Sequence, residues 1–314
     1  GQMTIRYAEL PVTFADGTVV TLREPSYAVR DWGYGAPHPE LRISPRVAPQ
    51  MIGLGLLEMI PDEELLRHAD PDDANDDGVS GRPNRVWNVD AGEVQLGRFG
   101  WKAGEPSIRQ QTASAFAGDI GIGNPVFPSP NGDCSAVQTD CRNAPNGNGL
   151  FDEPEVSEEL LRLVTFYARN LAVPARREPE HPVVLQGKRL FYEAGCASCH
   201  VPKFVTRRDV QRPEHSFQLI WPYTDLLLHD MGAGLADTLV EGEATGREWR
   251  TAPLWGIGLT QLVNGHMQLL HDGRARGVLE AILWHGGEAE SAKQRVLLFD
   301  EHERQALVRF VESL

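Results

Sequence analysis

The stretch Gly195-Cys196-Ala197-Ser198-Cys199-His200 constrains this chain more than any other. Two thiols three positions apart can both add to the vinyl groups of one porphyrin, with the next residue's imidazole beneath the iron, so the string predicts one covalently attached haem c. A zinc site would want two more Cys or His ligands at finger spacing, and a thioredoxin-like redox pair would want a βαβ frame. Neither is visible. Cys196 and Cys199 are therefore the expected attachment points and His200 one axial ligand of the iron. The other axial ligand must come from a distant residue. His215, His229, His266, His271, His285 and His302, with Met231 and Met267, are the candidates beyond the motif, and spacing alone does not choose among them.

The remaining cysteines, Cys134 and Cys141, lie in a Pro/Gly/Asn-rich stretch from Pro128 to Gly149, where a loop can close on a disulfide. That pairing places the chain in an oxidising compartment, the periplasm. A net charge of −14 over 314 residues excludes nucleic acid as partner, because a phosphate backbone needs a basic face. No apolar run approaches the length of a membrane span, and the first residues lack the pattern of a secretory signal, which processing would have removed.

Residues 4–30 read as strands about an Asp16-Gly17 turn, a small N-terminal β-hairpin. Beyond them the expectation is a mainly α fold with long loops. Helices are predicted over 51–60, 157–171, 184–194, 277–284 and 300–314. The Pro-rich segment 174–182 is the best linker, dividing a first domain at 1–178 from a cytochrome c-like domain at 179–314.

Several ordered strings resemble the bacterial di-haem cytochrome c peroxidase superfamily, most closely its branch of di-haem oxidoreductases, described as peroxidases or thiol oxidoreductases. They are Ser44-Pro-Arg-Val-Ala-Pro49, Leu96-Gly-Arg-Phe-Gly-Trp-Lys102, Ala115-Phe-Ala-Gly-Asp119, Asp225-Leu-Leu-Leu-His-Asp-Met-Gly232, Trp249-Arg-Thr-Ala-Pro-Leu254 and His271-Asp-Gly-Arg-Ala275. Together they span nearly the whole chain.

In that superfamily the second ligand of the relay haem follows the His-Asp-Gly motif by 14 positions, usually as methionine. Counted from His271, the position is His285. The resemblance thus implies a His200/His285 haem, with His229 as the rival ligand, and a low reduction potential, since imidazole is a stronger donor to ferric iron than a thioether. It also implies a second, peroxidatic haem whose Cys-x-x-Cys-His lies upstream. This sequence has no second such motif, so that segment either precedes the chain or is absent from the protein. The survival of Trp101 and Gln111, at the family's spacing of a tryptophan between the haems and a distal glutamine, favours the former. Asp119 is the acidic candidate for moving protons during peroxide cleavage, although its offset differs from the family's glutamate. A relay role implies a small electron-donor protein as partner, and hydrogen peroxide or another oxidisable compound as substrate.

Calcium is the other expected ion. Asp73-Ala-Asn75-Asp-Asp77-Gly78 fits the first half of a calcium loop, but Asn84 stands where the closing glutamate belongs. The resemblance suggests another site at the backbone carbonyls of Thr251-Ala-Pro253.

Overall fold

The computed structural model describes residues 1–149 and 154–314. The chain opens with β1 (Gln2–Thr13) and β2 (Val19–Arg30), paired antiparallel from Gln2 opposite Arg30 to Thr13 opposite Val19. Gly17 makes the turn at φ 85°, a conformation that costs glycine nothing, and Asp16 Oδ1 accepts from Thr18 N at 2.9 Å. The ribbon is much longer than a small hairpin. Its turn end alone is buried, where Phe14 and Leu22 join the core formed by the C-terminal helices.

Next come α1 (Leu54–Glu58) and α2 (Asp62–Leu66). Gly53, at φ 69°, delays the start of α1, so the helix predicted over 51–60 shrinks to one turn and a half. A short hairpin of β3 (Arg85–Asn88) and β4 (Glu93–Leu96) leads to α3 (Ile108–Ile120), whose first turn is capped by Ser107 Oγ accepting from Gln110 N at 3.1 Å. α4 (Thr139–Arg142) precedes α5 (Glu158–Asn170), capped by Ser157, and α6 (Pro182–Glu193) runs into the cysteine motif.

Beyond the motif, two tiny antiparallel sheets pair β5 (Phe204–Val205) with β6 (Leu219–Ile220) and β7 (Leu228–Asp230) with β8 (Glu248–Arg250). α7 (Thr260–Asn264), α8 (Val278–Trp284), α9 (Glu290–Leu297) and α10 (Glu301–Ser313) complete the chain, α10 opening on a capping box of Asp300 and Glu303.

The mainly helical reading does not hold. Helix accounts for 31% of the residues and strand for 16%, with several small antiparallel sheets between the helices. The larger share of the strand is the long β1–β2 ribbon, and the short pairs elsewhere escape the sequence because of their length. Strands of two to four residues bury too little alternating sequence to leave a period-2 signal, and they exist because the chain around them is held by tertiary contacts.

Two apolar clusters organise the molecule, and both draw residues from either side of position 178. In one, Phe14 and Leu22 of the hairpin pack with Val184, Phe191, Trp284 and Phe310. In the other, Leu57, Ile108 and Ala168 meet Phe204, Ile220 and Leu226. α6 crosses α10 so closely that a Cβ at Gly187 would collide with the Ala306 carbonyl, which is why the smallest residue sits at the crossing. Among the described residues no helix is long and apolar enough to cross a membrane.

Candidate haem-binding site

α6 ends at Glu193, and Gly195, at φ 87°, turns the chain into a short 3-10 turn over Cys196–Ser198. His200 N closes the motif by donating to Cys196 O at 3.0 Å. Both thiols are free, and both line a cavity of about 860 Å³ whose walls are largely apolar, Phe191, Leu235, Val278 and Ile282 among them. Burial pushes the Cys196 thiol up to about 12 and raises Cys199 as well, so both are neutral thiols in this setting.

His200 and His285 line the same cavity. Each imidazole meets a backbone carbonyl through Nδ1: His200 to Tyr223 O at 2.9 Å, and His285 to Ala281 O at 2.7 Å. A carbonyl only accepts, so Nδ1 carries the proton and the Nε2 lone pair is left for a metal. This is the carbonyl-anchored geometry that fixes the tautomer of a ligating histidine. Burial lowers His200 to about 4, against the bond to Tyr223. Burial also lowers His285, against the bond to Ala281. Both imidazoles are therefore neutral, as an iron ligand must be.

The rival ligand is held differently. His229 is bound through both nitrogens: Nε2 to Asp225 Oδ2 at 2.9 Å and Nδ1 to Glu288 Oε2 at 2.7 Å, with Cys199 Sγ 3.6 Å from Nδ1. Burial opposes its charge, but the hydrogen bonds to Asp225, Cys199 and Glu288 outweigh burial and raise the imidazole well above its ordinary value. Of the remaining histidines, His271 stacks on Trp249 with ring centroids 3.7 Å apart, and His215 Nε2 meets Arg169 O at 3.1 Å.

Trp101, Gln111 and Asp119 border this cavity too. Trp101 is fixed by Nε1 donating to Val47 O at 2.7 Å. Gln111, on α3, keeps a buried Oε1 without a partner. Asp119 is exposed at the far end of the same helix, about 12 Å along its axis from Gln111.

In the acidic loop, Asp73 Oδ1 accepts from Asp77 N at 3.0 Å, and Asn75 Oδ1 does the same at 3.0 Å, so both side chains are engaged with the loop's own amides. The Thr251 carbonyl accepts from Thr224 Oγ1 at 2.6 Å, and Pro253 borders the cavity. Among the described residues no group of three or more His, Cys, Asp or Glu converges as a metal site. Cys134 and Cys141 are joined by a disulfide, with Cα atoms 6.3 Å apart.

Sequence reasoning missed Glu288. Its carboxylate also accepts from Ser80 Oγ at 2.7 Å and Asp230 N at 2.9 Å. Burial works against this charge, yet His229, Ser80 and the Asp230 amide hold the carboxyl down at about 2. Its partners lie 208 and 59 residues away in the chain, and no local pattern could announce them.

A Cys-x-x-Cys-His turn that opens on an apolar cavity shared with a second neutral imidazole is the equipment of a haem oxidoreductase. The model of the family described as "Di-haem oxidoreductase, putative peroxidase" matches residues 1–314, and the chain belongs to that family. Among solved structures, hydrazine synthase of Kuenenia stuttgartiensis, under xenon pressure, is 17% identical over 91% of this chain and 99% of its own, with a TM-score of 0.32. That score is too low to carry an argument. No curated protein matches.

Proposed function

We propose that this chain is the electron-relay part of a di-haem peroxidase-like enzyme of the periplasm. In this reading Cys196 and Cys199 would hold one haem c, and His200 and His285 would supply the nitrogens for its iron. The observation that carries the proposal is the matched pair of imidazoles: both line the cavity of the two thiols, and both have Nδ1 on a backbone carbonyl. The donor set fits the group, with two neutral thiols for the vinyls and two Nε2 lone pairs for the iron.

Bound there, haem supplies one-electron redox chemistry. The chain's own residues supply the rest. The Tyr223 and Ala281 carbonyls keep both Nε2 atoms unprotonated, and the apolar wall excludes water. Trp101, anchored on Val47, stands on the same cavity and is the proposed stepping stone toward the peroxidatic centre. Gln111 offers its unpartnered oxygen as an acceptor at that end. Asp119 is the proposed proton carrier at the rim, where peroxide cleavage needs a proton taken from one oxygen and returned to the other. A small electron-donor protein would reduce the haem, and the disulfide at Cys134–Cys141 agrees with an oxidising compartment.

A mediated redox titration of the 314-residue chain, followed by mixing with hydrogen peroxide, tests this. The expected result is a single one-electron wave at low potential and no sustained peroxide turnover. Turnover at the rate of a complete peroxidase would contradict the relay assignment.

A further inference from the structure

The motif Asp225-Leu-Leu-Leu-His229-Asp230 has no role in the relay as described, yet it contains a densely bonded charged group beside the site. His229 is 2% exposed and lies between two carboxylates, at 2.9 Å from Asp225 and 2.7 Å from Glu288. Neither oxygen can donate, so both ring nitrogens carry protons and the ring is an imidazolium. The two carboxylates come from different parts of the chain. Asp225 belongs to the strand-forming segment that leads into His229 and is fixed by accepting from Leu227 N at 2.9 Å. Glu288 follows His285 by three residues, across Gly286 and Gly287.

Glu288 is the sole acidic side chain on that short loop, and it gathers five donors from two segments, 80–81 and 229–230. Besides His229 it receives Ser80 N at 3.0 Å, Ser80 Oγ at 2.7 Å, Gly81 N at 3.4 Å and Asp230 N at 2.9 Å. Two consecutive glycines would otherwise leave the backbone after His285 free to choose among many conformations. The same imidazolium has Cys199 Sγ 3.6 Å from Nδ1, in the turn that carries the other axial histidine.

We propose that His229 is a positioning residue: an imidazolium clamp that ties the loop after His285, through Glu288, to the Cys199 turn, and so fixes the second axial imidazole over the haem. Its geometry leaves it no lone pair for iron. The clamp rests on the His200/His285 reading of the site, and its test separates the two.

The holoprotein, its E288Q, H229Q and H285A variants, and carbon monoxide as probe of an opened coordination position are sufficient. E288Q keeps the shape of the side chain, removes its charge and leaves the imidazolium in place, so it remains informative if H229Q fails to fold. With the clamp in place, the reduced wild type resists carbon monoxide, and H285A binds it at once. E288Q and H229Q keep two thioethers by mass and bind it faster than wild type by on the order of tenfold or more. Carbon monoxide binding unchanged from wild type in E288Q overturns the clamp while leaving the His200/His285 pair standing. If instead H285A keeps a bis-imidazole spectrum and H229Q loses it, His229 is itself the ligand, and both the clamp and the ligand assignment fall.

Discussion

His200 and His285, 85 residues apart in sequence, line one cavity with the same orientation device, Nδ1 held on a backbone carbonyl at 2.9 Å and 2.7 Å. The two anchors come from unlike structures. Tyr223 O lies in an irregular stretch before β7, whereas Ala281 O is the carbonyl one turn back in α8, which His285 caps as the helix ends. Convergence on one tautomer from two such backbones is what a pair of iron ligands requires.

Exchanging one ligand should move the potential. In H285M a thioether replaces an imidazole on the same side, which favours ferrous iron. A mediated titration should give a potential higher than wild type by an appreciable part of the roughly 0.8 V that axial ligands span. No change would mean that position 285 does not touch the iron.

Acid should weaken the fold through His271. Burial lowers this imidazole from 6.5 to about 4, and its ring lies flat on Trp249. The unfolded chain therefore binds the extra proton between those values, so stability is lost as pH falls from 6.5 toward 4. H271F keeps the stacking and removes the titration. Denaturant melts across that window should show a shallower pH slope in H271F, by at most about 3 kcal/mol in total.

Glu58 is the main charged support of the second apolar cluster. It accepts from Ile108 N at 2.9 Å and pairs with Arg169 at 2.9 Å and Arg212 at 2.5 Å. Burial acts against its charge, and Arg169, the Ile108 amide and Arg212 outweigh burial to keep the carboxyl below its ordinary range. Truncation in E58A strands Arg169 and Arg212 and frees the first amide of α3. The expected loss is about 3 kcal/mol by chemical denaturation. A loss within the scatter of surface mutations, about 0.5 kcal/mol, would contradict this role.

Non-reducing peptide mapping should return one linked pair, Cys134 with Cys141, and a haem-modified peptide holding Cys196 and Cys199. With a loop this short the disulfide stabilises by only about 2 kcal/mol, so reducing agent should lower the melting temperature slightly without unfolding the chain. Scrambling between the two pairs would contradict the separation seen in the structure.

The sequence was informative where chemistry is local. The haem turn, the Asp16-Gly17 hairpin turn and the helices at 158–170 and 301–313 follow from adjacent residues, caps and periodicity. The expectation for His285 rests on the family spacing from His271, because nothing in its own neighbourhood in the sequence distinguishes it from His229. What stayed hidden depends on long-range contacts. Glu288 has meaning only beside Ser80 and His229, and β7 pairs with β8 across 17 residues of irregular chain. The helix expected over 51–60 failed for a local reason, the left-handed Gly53.

Low-temperature electron paramagnetic resonance of the oxidised holoprotein and its H285A variant tests the central claim most directly. The account predicts a low-spin signal of two imidazoles on one iron in the wild type, and its replacement by a high-spin signal in H285A with both thioethers intact. A bis-imidazole signal that persists in H285A would contradict it.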